Sequence, residues 1–156
     1  MNNLWAPWRS KFIYSRKHKG CIFCGNKKNG KTDKRYIVEK SELSFSMLNL
    51  YPYNNGHVMV APFRHVKDFN SLTDKELLDM MKLVRKTISK IEKKLKPRGF
   101  NIGVNLGKVS GAGFAGHLHV HIVPRWVGDT NFMPVISNTK VVPESLKSMQ
   151  SLLKAK

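Results

Sequence analysis

The sequence predicts an α+β domain built on a mostly antiparallel sheet. Three observations lead there: short apolar or alternating runs flank one long amphipathic segment, three runs precede it and two follow it, and turn residues join neighbouring runs. The expected architecture is a five-stranded sheet with one long helix and a short C-terminal helix.

The elements follow in chain order. Residues 1–20 form an N-terminal arm whose Leu4-Trp5-Ala6-Pro7-Trp8-Arg9 start is aromatic enough to pack against the core or a neighbouring subunit. Residues 27–34, rich in lysine with Asn29 and Gly30, suit a solvated loop, and His18 in its lysine-rich surroundings suits the surface. Runs at 36–39 and 43–50 read as paired strands. The turn-rich Tyr51-Pro52-Tyr53-Asn54-Asn55-Gly56 then leads to a strand at 57–62. Thr73 and Glu76 fit a capping box, and Leu77, Met81, Val84, Ile88, Ile91 and Leu95 recur at helical spacing until Pro97 and Gly99 end the helix. A strand at 100–106, a glycine-rich loop at 107–116 and a last strand follow. The tail, 138–156, carries a short amphipathic helix with Leu146, Met149, Leu152 and Leu153.

Length and composition set bounds. The 156 residues suit one domain, 1–156, with enough apolar content for one core. No apolar run approaches bilayer length, and the start lacks a signal-peptide pattern, so a cytoplasmic protein without membrane association is expected. In that compartment the two cysteines, spaced as Cys21-Ile22-Phe23-Cys24, suit thiolate ligands better than a disulfide; a redox pair competes, but no strand precedes the motif as it would there. The net charge of +18 attracts polyanions. No nucleic-acid-binding motif accompanies it, so a polyphosphate nucleotide is as good a target and nucleic acid is not the expected partner.

The last strand carries the chemistry. In Gly116-His117-Leu118-His119-Val120-His121-Ile122 an extended chain puts His117, His119 and His121 on one face and the aliphatics on the other. The apolar face can be buried while the imidazoles stay available. Pro124 should end the strand, leaving Arg125 and Trp126 on a loop. Three imidazoles in a row can bind a metal, supply a nucleophile with helpers, or only hydrogen-bond locally, and strict period two with core aliphatics between makes the inert reading the weakest.

The run HLHVHIVP resembles the signature of the histidine triad (HIT) nucleotide-binding family. The resemblance extends to Gly56-His57-Val58-Met59-Val60-Ala61-Pro62 with His65, while LWAPWR, Asn105 with the loop Lys108-Val109-Ser110-Gly111-Ala112-Gly113, and PRWVGDTNFMPV are similar to the prokaryotic diadenosine tetraphosphate phosphorylase branch. It implies an HIT-like fold, a homodimer or dimer-based oligomer, and a nucleotidyltransferase acting on dinucleoside polyphosphates. His119 resembles the family nucleophile, with His121 and His57 binding the α-phosphate oxygens. Asn49 falls where members bind the ribose hydroxyls, and Phe45, Leu48 and Leu50 beside it suit an adenine slot. Lys108, Ser110, Gly111 and Gly113 suit phosphate, and Trp126 suits stacking on a second base. One departure is Gly113-Phe114-Ala115-Gly116, where many family hydrolases and phosphoramidases carry Gln or Ser before the triad.

Zinc-bearing members resemble the set Cys21, Cys24, His65 and His117, which implies one structural zinc per chain. Mg2+ can accompany the substrate phosphates. Hydrolysis of the same dinucleotides and nucleoside phosphoramidase activity are the alternatives within the family. A non-catalytic module for nucleotides or nucleic acid is the alternative outside it.

Overall fold

The computed structural model describes residues 20–24, 36–129 and 144–155, so residues 1–19 and 27–34 of the expectations above lie outside the described residues. Five strands form one sheet: β1 (Ile37–Lys40), β2 (Ser44–Leu48), β3 (Val58–Pro62), β4 (Gly99–Gly103) and β5 (Val120–Arg125). Their order is β1-β2-β3-β5-β4, with every neighbouring pair antiparallel. The last strand in sequence is thus inserted inside the sheet, where both its edges are paired. Pro124 is accommodated within β5, opposite Phe100, and Arg125 pairs with Gly99 instead of starting a loop. Among the described residues no helix is long and apolar enough to cross a membrane.

Helix α1 (Asp74–Leu95) begins at the expected capping box, with Thr73 Oγ1 accepting from the Glu76 amide and Glu76 accepting from the Thr73 amide. Glu76 is also gripped by Arg64, whose Nε and Nη2 reach the two carboxylate oxygens at 2.8 and 2.6 Å. That pairing, led by the Arg64 hydrogen bond, holds the Glu76 carboxyl at about 2. At the far end Lys96 takes a left-handed conformation, φ 48°, before Pro97.

The buried stripe of α1 is rotated from the expected one. Met80, Leu83, Val84, Thr87 and Ile91 face the sheet, whereas Leu77 and Met81 are 38% and 47% exposed. Both registers have helical spacing; the polar Glu76 and Thr87 on the true inner face disguise it. Likewise Leu152 on α2 (Leu146–Lys154) is exposed, and Met149 and Leu153 supply its buried side.

Strand alternation sorts the core into two layers. Val38, Leu48, Val58, Val60, Leu118, Val120 and Ile122 meet α1 and α2 on one face. Phe23, Ile37, Phe45, Met47, Met59 and Ala61 cluster on the other. The turn before β3 rests on Gly56, whose φ is +69° and whose absent Cβ would lie 2.5 Å from Leu95 Cδ1. Gly56→Ala is expected to lower the unfolding free energy by about 1 to 2 kcal/mol from left-handed strain alone. Urea denaturation reads this, and an unchanged midpoint and slope would show that the turn relaxes without cost.

Candidate active site and metal centre

The histidines stand on the face away from the helices. One row of register partners crosses the sheet as Ile37, Met47, Met59, His121 and Gly103, so an apolar floor runs up to His121 and a residue without a side chain stands beyond it. A Cβ on Gly103 would meet nothing within 4 Å, which leaves open space beside the imidazole. Upstream, the Leu118 amide donates to the Val66 carbonyl at 2.6 Å and fixes the approach to β5. Availability is narrower than expected: His117, His119 and His57 are all buried, and only His121 of the triad is half-buried. The sheet floor and the Cys21–Cys24 turn cover the rings.

Hydrogen bonds assign the tautomers. A neutral imidazole has one donor and one acceptor nitrogen, so a partner of fixed polarity decides both. The His117 carbonyl can only accept, so His119 donates to it from Nδ1 at 2.8 Å and carries its lone pair on Nε2. The Tyr53 amide can only donate, so His57 Nδ1 accepts from it at 3.1 Å and His57 bears its proton on Nε2. His57 Nε2 then donates to His121 Nδ1 at 3.0 Å, which places the His121 proton on Nε2.

Burial favours the neutral forms of His57 and His119. It is the largest cause holding His57 down at about 3, with His121 and His119 adding to it, and it also lowers His119. An imidazole with an unprotonated Nε2 at neutral pH can attack an electrophile, and the Nε2–H of His121, backed by the His57 bond, can bind an anionic oxygen.

Cys21, Cys24, His65 and His117 form a second cluster, with one ligand atom from each lying within 4.8 Å of the others. His117 Nε2 donates to the Pro62 carbonyl at 2.9 Å, which turns its Nδ1 lone pair toward Cys21 Sγ at 3.4 Å and Cys24 Sγ at 3.2 Å. His65 Nδ1 lies 3.3 Å from Cys24 Sγ. A tetrahedral ion with thiolate and imidazole ligands has S···N edges of about 3.5 Å, so the four residues fit a metal. Burial pushes the Cys21 thiol up to about 11, the state a nearby cation would reverse.

The remaining candidates divide. Asn49 approaches the His57 ring at 3.4 and 3.5 Å and accepts from the Tyr51 amide at 3.0 Å. Phe45 lies on the histidine face, stacked on Phe63. Leu48 does not: at 1% exposure it is core beneath α1, on the opposite face of its strand, and cannot line a slot with Asn49. Leu50 is half-buried beyond β2. Asn105 is half-buried, while Lys108, Ser110, Gly111 and Gly113 are exposed, with Ser110 closing the turn by donating to the Gly107 carbonyl. Trp126 is half-buried, its amide donating to Asp129.

Three aromatics that the motif does not name complete the surroundings. The Phe23 ring lies 5.0 Å from His117 and 4.8 Å from His119, with Phe114 edge-on to it, and Tyr53 lies 4.9 Å from His57. The one available signal for Phe23 is its place between the two cysteines.

Comparison with known proteins gives concordant findings. A family model described as HIT domain matches residues 30–127. The chain is 46% identical over 117 residues to the AP-4-A phosphorylase of Mycobacterium tuberculosis (strain H37Rv), covering 75% of this chain and 60% of that protein. It is 40% identical over 93 residues to the asymmetrical bis(5'-nucleosyl)-tetraphosphatase of Schizosaccharomyces pombe, covering 60% of this chain and 50% of that one. The chain therefore spans less than two thirds of either relative's length. Among solved structures, a hypothetical histidine triad nucleotide-binding protein from Sulfolobus tokodaii superposes with a TM-score of 0.69 at 26% identity, over 86% of this chain and 89% of that one.

The low His57 value has a consequence for acid stability. A histidine depressed from its ordinary 6.5 to about 3 contributes its full stability above 6.5, and that contribution is lost as pH falls toward 3, because the unfolded chain binds the proton first. Unfolding free energy should therefore decline on acidification from 6.5, and less steeply in His57→Gln. Denaturation at a series of pH values measures both slopes; equal slopes would contradict the burial of a neutral ring.

Proposed function

The chain belongs to the HIT domain family, and from that membership and the tautomers of its histidines we propose that it is a nucleotidyltransferase acting on dinucleoside polyphosphates. The observation that carries the reading is the bond from His119 Nδ1 to the His117 carbonyl, which leaves the Nε2 lone pair as the reactive one. In this reading Nε2 attacks the α-phosphorus, a P–N bond forms as the bridging P–O bond breaks, and a nucleoside polyphosphate departs. The His117 carbonyl stabilises the positive ring that results. His121 meets the charge that builds on the α-phosphate oxygens with its Nε2 proton, and His57 supports it from behind by donating to His121 Nδ1.

Phosphate as acceptor then completes phosphorolysis, so that diadenosine tetraphosphate and phosphate give ADP and ATP. The similarity to a phosphorylase over three quarters of the chain favours this acceptor. The similarity to a tetraphosphatase supports a second reading, with water as acceptor and AMP and ATP as products. For the nucleotide itself we assign Asn49 to the ribose, Phe45 and Leu50 to the near base, Trp126 to the distal base, and Asn105, Lys108, Ser110, Gly111 and Gly113 to the phosphates. Mg2+ can accompany those phosphates; the displacement needs no metal from the protein.

We further assign zinc to Cys21, Cys24, His65 and His117, because two sulfurs and two imidazoles at near-tetrahedral edges suit that ion. A zinc ion there would supply structural cohesion, not a Lewis acid for substrate.

His119→Ala is expected to abolish nucleotide transfer while nucleotide binding persists, and wild-type protein quenched during turnover should carry an acid-labile adenylyl group on His119. His121→Ala or His57→Ala should cost about 2 to 4 kcal/mol of transition-state stabilisation. Turnover retained by His119→Ala would defeat the mechanism, whereas products from water alone would change only the acceptor. For the metal, elemental analysis should find one zinc per chain, absent from Cys24→Ser together with a lowered melting temperature. Zinc-free wild-type protein, or a variant with unchanged zinc content and melting, would overturn the assignment.

A further inference from the structure

Two segments flank the open end of the histidine cluster: the turn from Asn49 to Gly56 and the turn from Trp126 to Asp129. They are joined through one buried amide. Asn54, 8% exposed, donates from Nδ2 to the Pro124 carbonyl at 3.0 Å and to Asp129 Oδ2 at 2.8 Å. Asp129 is itself held: its carboxylate accepts from Arg125 Nε and Nη2 at 2.6 and 2.8 Å and from the Trp126 amide at 3.1 Å. Arg125 Nη1 in turn donates to Asn101 Oδ1 at 2.7 Å, which ties the cluster to β4. Asn54 is therefore attached to a frame that spans both strands beyond the histidines.

The frame bears on chemistry through the residue before Asn54. The Tyr53 amide donates to His57 Nδ1, and the Asn54 carbonyl accepts from the His57 amide at 3.2 Å, so His57 is held from both sides by this turn. The bonds from the Asn49 amide to the His57 carbonyl and from the Tyr51 amide to Asn49 Oδ1 are local, and toward β5 the Tyr53 ring adds a contact with His121 at 6.0 Å between centroids. If the Tyr53 amide withdraws, His57 Nδ1 loses its closer fixed-polarity donor and keeps only the longer approach of Asn49 Nδ2 at 3.4 Å, which also lies 3.5 Å from Nε2, so the ring can take the opposite tautomer. His57 Nε2 would then accept, His121 Nδ1 would have to donate, and His121 Nε2 would present a lone pair where a proton is needed to meet phosphate.

We propose that Asn54 and Asp129 are positioning residues that set the direction of the His57–His121 hydrogen bond by holding the Tyr53 amide on His57. The inference rests on the transfer reading above for its functional meaning; its structural content does not. It accounts for two stretches that the catalytic histidines leave unexplained, Pro52-Tyr53-Asn54-Asn55-Gly56 and Pro124-Arg125-Trp126-Val127-Gly128-Asp129. Each supplies one half of the latch.

The test compares wild-type protein, Asn54→Ala and the milder Asp129→Asn, all labelled with 15N-histidine and kept at about pH 8, above the imidazole range. Long-range proton–nitrogen spectra assign which His57 nitrogen bears hydrogen. Wild-type His57 should carry it on Nε2; Asn54→Ala should show the Nδ1 form or a mixture, and Asp129→Asn a smaller shift the same way. With diadenosine tetraphosphate and phosphate, kcat of Asn54→Ala should fall about tenfold to a hundredfold while KM changes less than about twofold, the pattern of a lost positioning effect. An unchanged His57 tautomer in a folded variant overturns the proposal whatever the rate does. Should Asn54→Ala fail to fold, Asp129→Asn decides by the same spectra. A wild-type protein without turnover would remove the transfer reading, and the tautomer comparison would still decide the latch.

Discussion

A neutral imidazole has one donor and one acceptor, and in this protein the inward nitrogen of each histidine decides what the outward one can do. His119 donates a hydrogen bond from Nδ1 to the His117 carbonyl and keeps a lone pair on Nε2. His57 accepts a hydrogen bond from the Tyr53 amide and must donate to His121. His117 donates to the Pro62 carbonyl and turns its lone pair to the cysteines. His57, His117 and His119 thus hold different duties set by backbone partners, and His121 takes its tautomer from the His57 ring. No side-chain acid orients any of them in these bonds.

That arrangement depends on the sheet. Alternation sends Leu118, Val120 and Ile122 into the core beneath α1 and leaves the histidines on the opposite face. Inserting β5 between β3 and β4 brings His57, which immediately precedes β3, beside His121. A one-residue slip in register would bury the imidazoles under the helix and expose the aliphatics, so the core specifies the site as firmly as it specifies the fold. Burial then disfavours the charged forms and preserves the neutral rings on which the tautomer logic rests.

Much of this is legible in the residues. The five strands, the capped helix and a mostly antiparallel sheet follow from apolar periodicity and turn residues, since those signals are local, whereas the insertion of β5 between β3 and β4 is a non-local pairing that they do not carry. The inner face of α1 is not legible, because Leu77 and Met81 have the spacing of a core stripe and are exposed, while Thr87 is polar and buried. Nor is the role of Leu48, which sits one residue from Asn49 and therefore on the other face. The triad announces itself through its strict period. The helpers do not: Phe23, Tyr53 and Asn54 act from loops, through ring contacts and main-chain groups that leave no periodic trace.

The metal cluster and the histidine site share a residue, and that sharing decides how one can act on the other. The His117 side chain faces Cys21 and Cys24, while its carbonyl holds His119. Between the same cysteines, Phe23 rests against both rings, so the Cys21–Cys24 turn touches His119 as well as its anchor, His117. A metal held by this cluster would bind His117 through Nδ1, whereas His119 is held by the His117 carbonyl. Its influence on His119 would pass through the placement of that carbonyl and of the Phe23 ring, the two groups that touch both. The cluster is then a support for geometry, and its loss would act on His119 through disorder of the Cys21–Cys24 turn before any change in the chemistry of the ring itself.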